Sequence, residues 1–141
     1  MAVYSVELVR DCSVSVPSRS ADSPAIVAEI VKKFLGRVDR EHFLVLMLDA
    51  RKQVTGISVV SIGTLSASLV HPRELFKPAI LANAAAVVVA HNHPSGDPTP
   101  SIEDREVTRR LVRAGELLGI PVLDHLIVAE TFYSFREARL I

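Results

Sequence analysis

The chain has 141 residues, 49% of them hydrophobic and 23% charged, with 16 basic against 16 acidic side chains and a formal net charge of zero. This is a globular balance for one domain with a core of Val, Leu, Ile and Ala, and it gives no electrostatic case for nucleic acid. The single cysteine, Cys12, excludes an internal disulfide framework and a cysteine-rich zinc site; no run reaches about 18 apolar residues and no signal-peptide pattern opens the chain, so a cytoplasmic protein without a membrane span is expected.

In chain order, residues 4–9 alternate enough to predict a first strand, and the serine-rich stretch 13–23, with Pro17, reads as a connector. Residues 1–22 are therefore expected to be an N-terminal strand and connector, ahead of a domain over 23–141. Ser23-Pro24 predicts a helix start, and Ile26, Val27, Ile30, Val31 and Phe34 recur at helical spacing until Gly36, which places a helix over residues 24–35. The apolar run 43–48 predicts a buried strand, 50–55 a polar turn, and 56–62 the returning strand of a hairpin. Residues 66–70 suggest a short extended piece. Pro72 opens a helix to about Asn83, which Pro78 should kink or interrupt. Residues 84–90 predict a strand buried on both faces, giving way at His91 to a loop with Pro94, Gly96 and Pro98. Ser101 starts a long helix to about Leu118, stopped by Gly119, and strands are expected at 122–128 and 132–135. The order predicts a mixed α/β (α+β) fold, a largely β sheet flanked by helices.

The loop after the 84–90 strand concentrates the chemistry. A buried strand delivers His91 and His93 to its exit, and Asp104 sits in the first turn of the helix that begins soon after. In an extended segment, side chains two residues apart share a face. The Pro-Ser-Gly-Asp-Pro turn can fold the helix start back beneath them, within reach of zinc bonds of about 2.0–2.2 Å. Two histidines and one carboxylate leave a fourth tetrahedral position for water, the arrangement of a catalytic rather than a structural site. Ser101-Ile102-Glu103-Asp104 also reads as a helix cap, and the two roles are compatible. The contiguous His-Asn-His does not match nucleases in which those letters are dispersed over a longer ββα-metal unit. A nucleoside deaminase would need a Cys-x-x-Cys pair, which one cysteine excludes.

His91-Asn92-His93, seven residues, then Ser101-x-x-Asp104 resembles the JAMM (MPN/JAB) metalloprotease signature without departure in spacing. The segment from His91 to Ser101 is similar to the RadC branch of that family. So are GTLSASLVHPRELFKPAI (residues 63–80) and LLGIPVLDHLIV (residues 117–128), and the resemblance covers roughly Ser23 to Ile141. It implies a JAB/MPN-type, cytidine-deaminase-like mixed sheet, with zinc on His91, His93 and Asp104 and with Ser101 stabilising the carbonyl oxygen. It also implies an upstream glutamate as general base. Glu41, at the head of the 43–48 run, matches that position best; Glu74, inside a helix, is the rival. Full-length RadC proteins carry an N-terminal helix-hairpin-helix module, which this sequence is expected to lack.

The expected activity is zinc-dependent hydrolysis of a peptide or isopeptide amide bond, with an unidentified peptide or protein as substrate. The alternative is a DNA-associated, repair-linked accessory protein without hydrolysis. Arg105, Arg109, Arg110 and Arg113 at helical spacing would serve that alternative, although a solvated helix face is the favoured reading of them. A homodimer is possible on sequence grounds. His71 and His125 are read as structural, with Asp124 or His125 able to touch the metal ligands from behind.

Overall fold

The computed structural model describes residues 1–63 and 70–141. Its elements in chain order are α1 (Pro24–Leu35), β1 (His42–Leu48), β2 (Val54–Ile62), α2 (Pro72–Leu81), β3 (Ala86–Asn92), α3 (Ile102–Leu118), β4 (Val122–Val128) and β5 (Phe132–Ser134). The strands form one sheet in the order β2-β1-β3-β4-β5. All neighbours are antiparallel except β3 and β4, which run parallel with α3 as their crossover. This is the mixed α/β architecture expected.

The central strands are buried on both faces, which is why β1 and β3 read as continuous apolar runs rather than alternating ones. Leu44, Leu46, Val88, Ala90 and Leu126 face α1, whose Val27, Ile30 and Val31 complete one core layer. The odd-numbered partners Phe43, Val45, Val87 and Val89 face α2 and α3, through Leu75, Phe76, Val107 and Leu111. His91 has the parity of this second layer, so the pleat aims it at α3.

Helix ends follow local chemistry. Ser23 occupies the N-cap of α1 in an extended conformation, although its side chain makes no capping hydrogen bond. His71 caps α2 through its Nδ1, which accepts from the Arg73 N–H at 3.4 Å, in keeping with a structural role. α2 runs through Pro78 rather than stopping there, and Asn83, at φ 53°, turns the chain off beyond its end. At the C-terminus of α3, Gly119 is left-handed, and the N–H groups of Gly119 and Ile120 bond back to Glu116 and Gly115, a Schellman turn.

That turn brings Gly115 against backbone. A Cβ there would lie 2.5 Å from the Ile120 carbonyl oxygen and 3.3 Å from the Phe76 ring. Gly115→Ala is therefore expected to destabilise the fold by about 1–3 kcal/mol despite alanine's better helix propensity. Urea unfolding of the two proteins measures it.

Two expectations are corrected. Residues 4–9 form no strand: the segment is exposed and unpaired, and only Ser20 makes a bridge, to Gln53. Alternation marks a strand only where a neighbour and a core face exist to receive it. Conversely, β3 does not end at Ala90 but continues through His91 and Asn92, which pair with Phe43, Ile127 and Val128. Polar residues hid the last two positions of a strand that is buried along its whole length. Of the short extended piece expected at 66–70, residues 66–69 lie outside the described residues.

Candidate metal centre

The site lies at the carboxyl end of β3, where a crossover to a parallel neighbour opens a crevice beyond the strand tips. His91 is the penultimate residue of β3 and has no solvent exposure; its ring stacks on Phe43 of β1, with centroids 5.6 Å apart. His93 follows just past the strand end, and its side chain is 13% exposed. Its Nδ1 lies 2.8 Å from the Asp97 carbonyl oxygen. A carbonyl can only accept, so Nδ1–H donates and Nε2 is turned inward, with a lone pair to offer in the neutral ring. The Pro94–Pro100 turn then returns the chain to Ser101.

Asp104 comes from the first turn of α3 and is fixed by a reciprocal capping box. The Ser101 N–H donates to Asp104 Oδ2 at 2.8 Å, and the Asp104 N–H donates to Ser101 Oγ at 3.0 Å. Cap and candidate ligand are thus one residue. The two readings of this segment coexist, because one carboxylate can accept from the cap and still present its remaining lone pairs to the histidines.

The three groups converge. His91 Nε2 is 3.1 Å from Asp104 Oδ1, His93 Nε2 is 3.4 Å from Asp104 Oδ2, and the two Nε2 atoms are 3.0 Å apart. One ligand atom from each lies within 4.8 Å of the others, so His91, His93 and Asp104 form a group that could hold a metal ion. Tetrahedral ligands at about 2.0–2.1 Å from zinc sit about 3.3–3.4 Å from one another; the separations here are of that order, although the two histidines approach different oxygens of Asp104. The chemistry of the donors fits too, since two imidazole nitrogens and a carboxylate packed this closely call for a positive centre between them.

Electrostatics agree with that demand. Burial works to raise the pKa of Asp104, but the hydrogen bond and charge of His91 and the N–H and O–H groups of Ser101 outweigh it, so the carboxyl is held well below its usual range. Behind His91 stands His125 of β4, completely buried, its Nε2 2.8 Å from His91 Nδ1. Burial first, and the neighbouring His91 second, push its pKa well below that of free histidine. Asp124, by contrast, points to the opposite side of the sheet and does not touch the site. It accepts from Ser134 Oγ, the His125 N–H and the Arg136 N–H, while its burial raises its pKa.

The other expected residues fall as follows. Ser101 is beside Asp104, with its hydroxyl oxygen accepting and its proton free to be given elsewhere. Glu41 is half-buried immediately before β1. Asn92, the middle residue of His-Asn-His, brackets it: Asn92 Oδ1 accepts from the His42 N–H at 2.7 Å and Asn92 Nδ2 donates to the Arg40 carbonyl at 3.0 Å. The Glu41 carbonyl also accepts from the Gly63 N–H at 2.8 Å. The antiparallel register of β1 and β3 ends at Phe43 and His91, so Glu41 lies just outside the paired strands, two residues before Phe43. Glu74 is exposed on the first turn of α2, where its carboxylate pairs with Lys77 at 3.0 Å. A cleft of about 380 Å³ opens alongside His93 and Asn92, rimmed by Lys32, Leu35, Arg37 and Val38.

The family model of the RadC-like JAB domain matches residues 21–140. Among curated proteins, the chain is 52% identical over 134 residues to a UPF0758 protein of Rubrobacter xylanophilus, covering 94% of this chain and 59% of that one. It is 55% identical over 128 residues to a UPF0758 protein of Symbiobacterium thermophilum, covering 89% and 55%. A UPF0758 protein of Desulfitobacterium hafniense is 53% identical over 121 residues, covering 85% and 53%. The chain thus spans a little over half the length of these relatives. No helix among the described residues is long and apolar enough to cross a membrane.

Proposed function

The chain belongs to the RadC-like JAB domain family, and from that membership we propose that it is a zinc-dependent hydrolase of amide bonds in a peptide or isopeptide substrate. The observation that carries the reading is the convergence of His91, His93 and Asp104 at the end of β3 into one group that could hold a metal ion. A divalent ion held there supplies Lewis acidity and lowers the pKa of water from 15.7 to about 7.

The chain's own residues do the rest. Glu41 takes the proton of the attacking water and returns it to the leaving amine, a single carboxylate serving as base and then as acid. Ser101 donates a hydrogen bond from its hydroxyl to the carbonyl oxygen as negative charge develops there, and keeps its proton throughout. Asn92 holds the backbone on both sides of Glu41, so the base is tied by two hydrogen bonds to the strand that carries the histidines. Glu74 is the weaker choice, because its carboxylate is taken up by Lys77 at the protein surface.

The test is to purify the protein without chelator, measure bound metals, and incubate it with a proteome alongside a His91→Ala/His93→Ala double variant. New peptide termini made by the parent, absent with the variant and abolished by chelation, are the expected result. Protein that binds no zinc when it is supplied, or termini that form equally with the variant, overturns the proposal.

A further inference from the structure

We propose that Thr108 and His125 are positioning residues for His91, forming a directional hydrogen-bond chain that fixes the imidazole tautomer and aims the His91 Nε2 lone pair at the metal position. The inference deepens the proposed metal centre and rests on that reading. It concerns two buried residues on different elements, neither of them a ligand.

The direction of the chain follows from counting protons. Thr108 Oγ1 has one proton and lies 2.6 Å from the carbonyl oxygen of Asp104. That oxygen can only accept, so the hydroxyl proton points at it. The same Oγ1 is 2.6 Å from His125 Nδ1. With its proton already committed, Oγ1 must accept here, and His125 Nδ1 must carry a hydrogen. In the neutral ring this leaves His125 Nε2 bare, facing His91 Nδ1 at 2.8 Å. His91 Nδ1 therefore donates, and in the neutral ring that binds a metal its Nε2 is left with only a lone pair, facing Asp104 and His93. Reversing any link would set two lone pairs or two hydrogens against each other at under 3 Å.

Packing keeps the chain from rearranging. Thr108 is 2% and His125 0% exposed. The His125 ring is stacked on Phe135, with centroids 4.6 Å apart and planes 10° apart, and meets the edge of Phe43 at 5.5 Å. Phe43 in turn stacks on His91. A ring flip of His125 would break both of its hydrogen bonds in a place that water does not reach.

The chain also closes on itself. Thr108 lies one turn beyond Asp104 on α3 and bonds to the backbone of that ligand. From Asp104 the path runs through Thr108, His125 and His91 back to the Asp104 carboxylate. The two ligands thus reach their common point on a frame that ties α3 to β4 and β3. Partners that orient ligating histidines typically change metal affinity about 10–100-fold when removed.

The experiment combines a tautomer measurement with metal titration. Long-range ¹H–¹⁵N correlation of the imidazoles in the metal-free and zinc-loaded parent is expected to show His125 with hydrogen on Nδ1 and bare at Nε2. It is also expected to show His91 with hydrogen on Nδ1 and, in the loaded form, zinc on Nε2. Thr108→Val, which keeps shape but loses the hydroxyl, is expected to weaken zinc binding by about 10–100-fold in chelator competition and to alter the visible spectrum of the cobalt-loaded protein. Thr108→Ser, which restores the hydroxyl, is expected to recover both. His125 bearing hydrogen on Nε2 in the parent overturns the chain, whether or not any variant folds. So does a folded Thr108→Val protein with the parent's zinc affinity and cobalt spectrum. A parent that binds no zinc while showing the stated tautomers instead sinks the metal reading and leaves the hydrogen-bond order standing.

Discussion

Glu41→Gln is expected to lower turnover by about 10²–10⁴-fold, the range contributed by a positioned general base, while zinc content stays at the parent level. The amide is nearly isosteric with the carboxylate but cannot take a proton from water, so proton transfer fails and binding does not. The loss should fall on kcat, with KM nearly unchanged, since the interaction is one of the transition state. Single-turnover assays on a substrate from the proteome screen, with metal content measured on the same samples, make the comparison. Parent-level turnover by Glu41→Gln would remove Glu41 from the proposed mechanism, and Glu74→Gln would then be the next variant to measure.

Which parts of this molecule were readable from its residues follows from how local their signals are. α1 lies between Pro24 and Gly36 and α3 between Ser101 and Gly119, each bounded by residues whose own backbone preferences start or stop a helix. β1 was legible as a run too short and too apolar for a lone helix. The candidate metal group left a local trace as well: its three members fall within one strand end, one turn and one helix start, a spacing that a helix cap alone would also explain and that the family signature turned into a ligand set. Contacts across the sheet leave no such trace. His125 is 34 positions from His91, Thr108 is 17 from His125, and Asn92 reaches 50 and 52 positions back to His42 and Arg40. From sequence His125 reads as structural and its contact with the ligands stays open, because only the parallel pairing of β3 with β4 decides which face of β4 meets the site. The converse error at residues 4–9 has the same origin. A period-two pattern states that a strand could be half-buried, and the partner that would bury it is not a local property.

Asp104→Asn is expected to separate the two duties of that residue. As a cap, the asparagine oxygen can still accept from the Ser101 N–H, so the start of α3 should survive, whereas Asp104→Ala would add a loss of about 1 kcal/mol for the missing cap. As a ligand, the amide lacks the charge that balances a divalent ion against two neutral imidazoles, and zinc affinity should fall by more than the roughly 10–100-fold attached to outer partners. The readout is thermal unfolding with and without zinc. A ligand at 100 times its Kd stabilises the native state by about 2.7 kcal/mol, so the parent should gain several degrees on zinc addition and Asp104→Asn almost none. Acid unfolding of the metal-free proteins gives an independent check. The pKa of Asp104 is depressed in the fold, so its contribution is complete above the ordinary carboxylate value of 3.8 and is lost as pH falls below it. Metal-free Asp104→Asn should therefore lose less stability than the parent between neutral pH and strong acid. Equal zinc-induced shifts in the two proteins would place the metal elsewhere, because no arrangement of His91 and His93 alone supplies the missing negative charge.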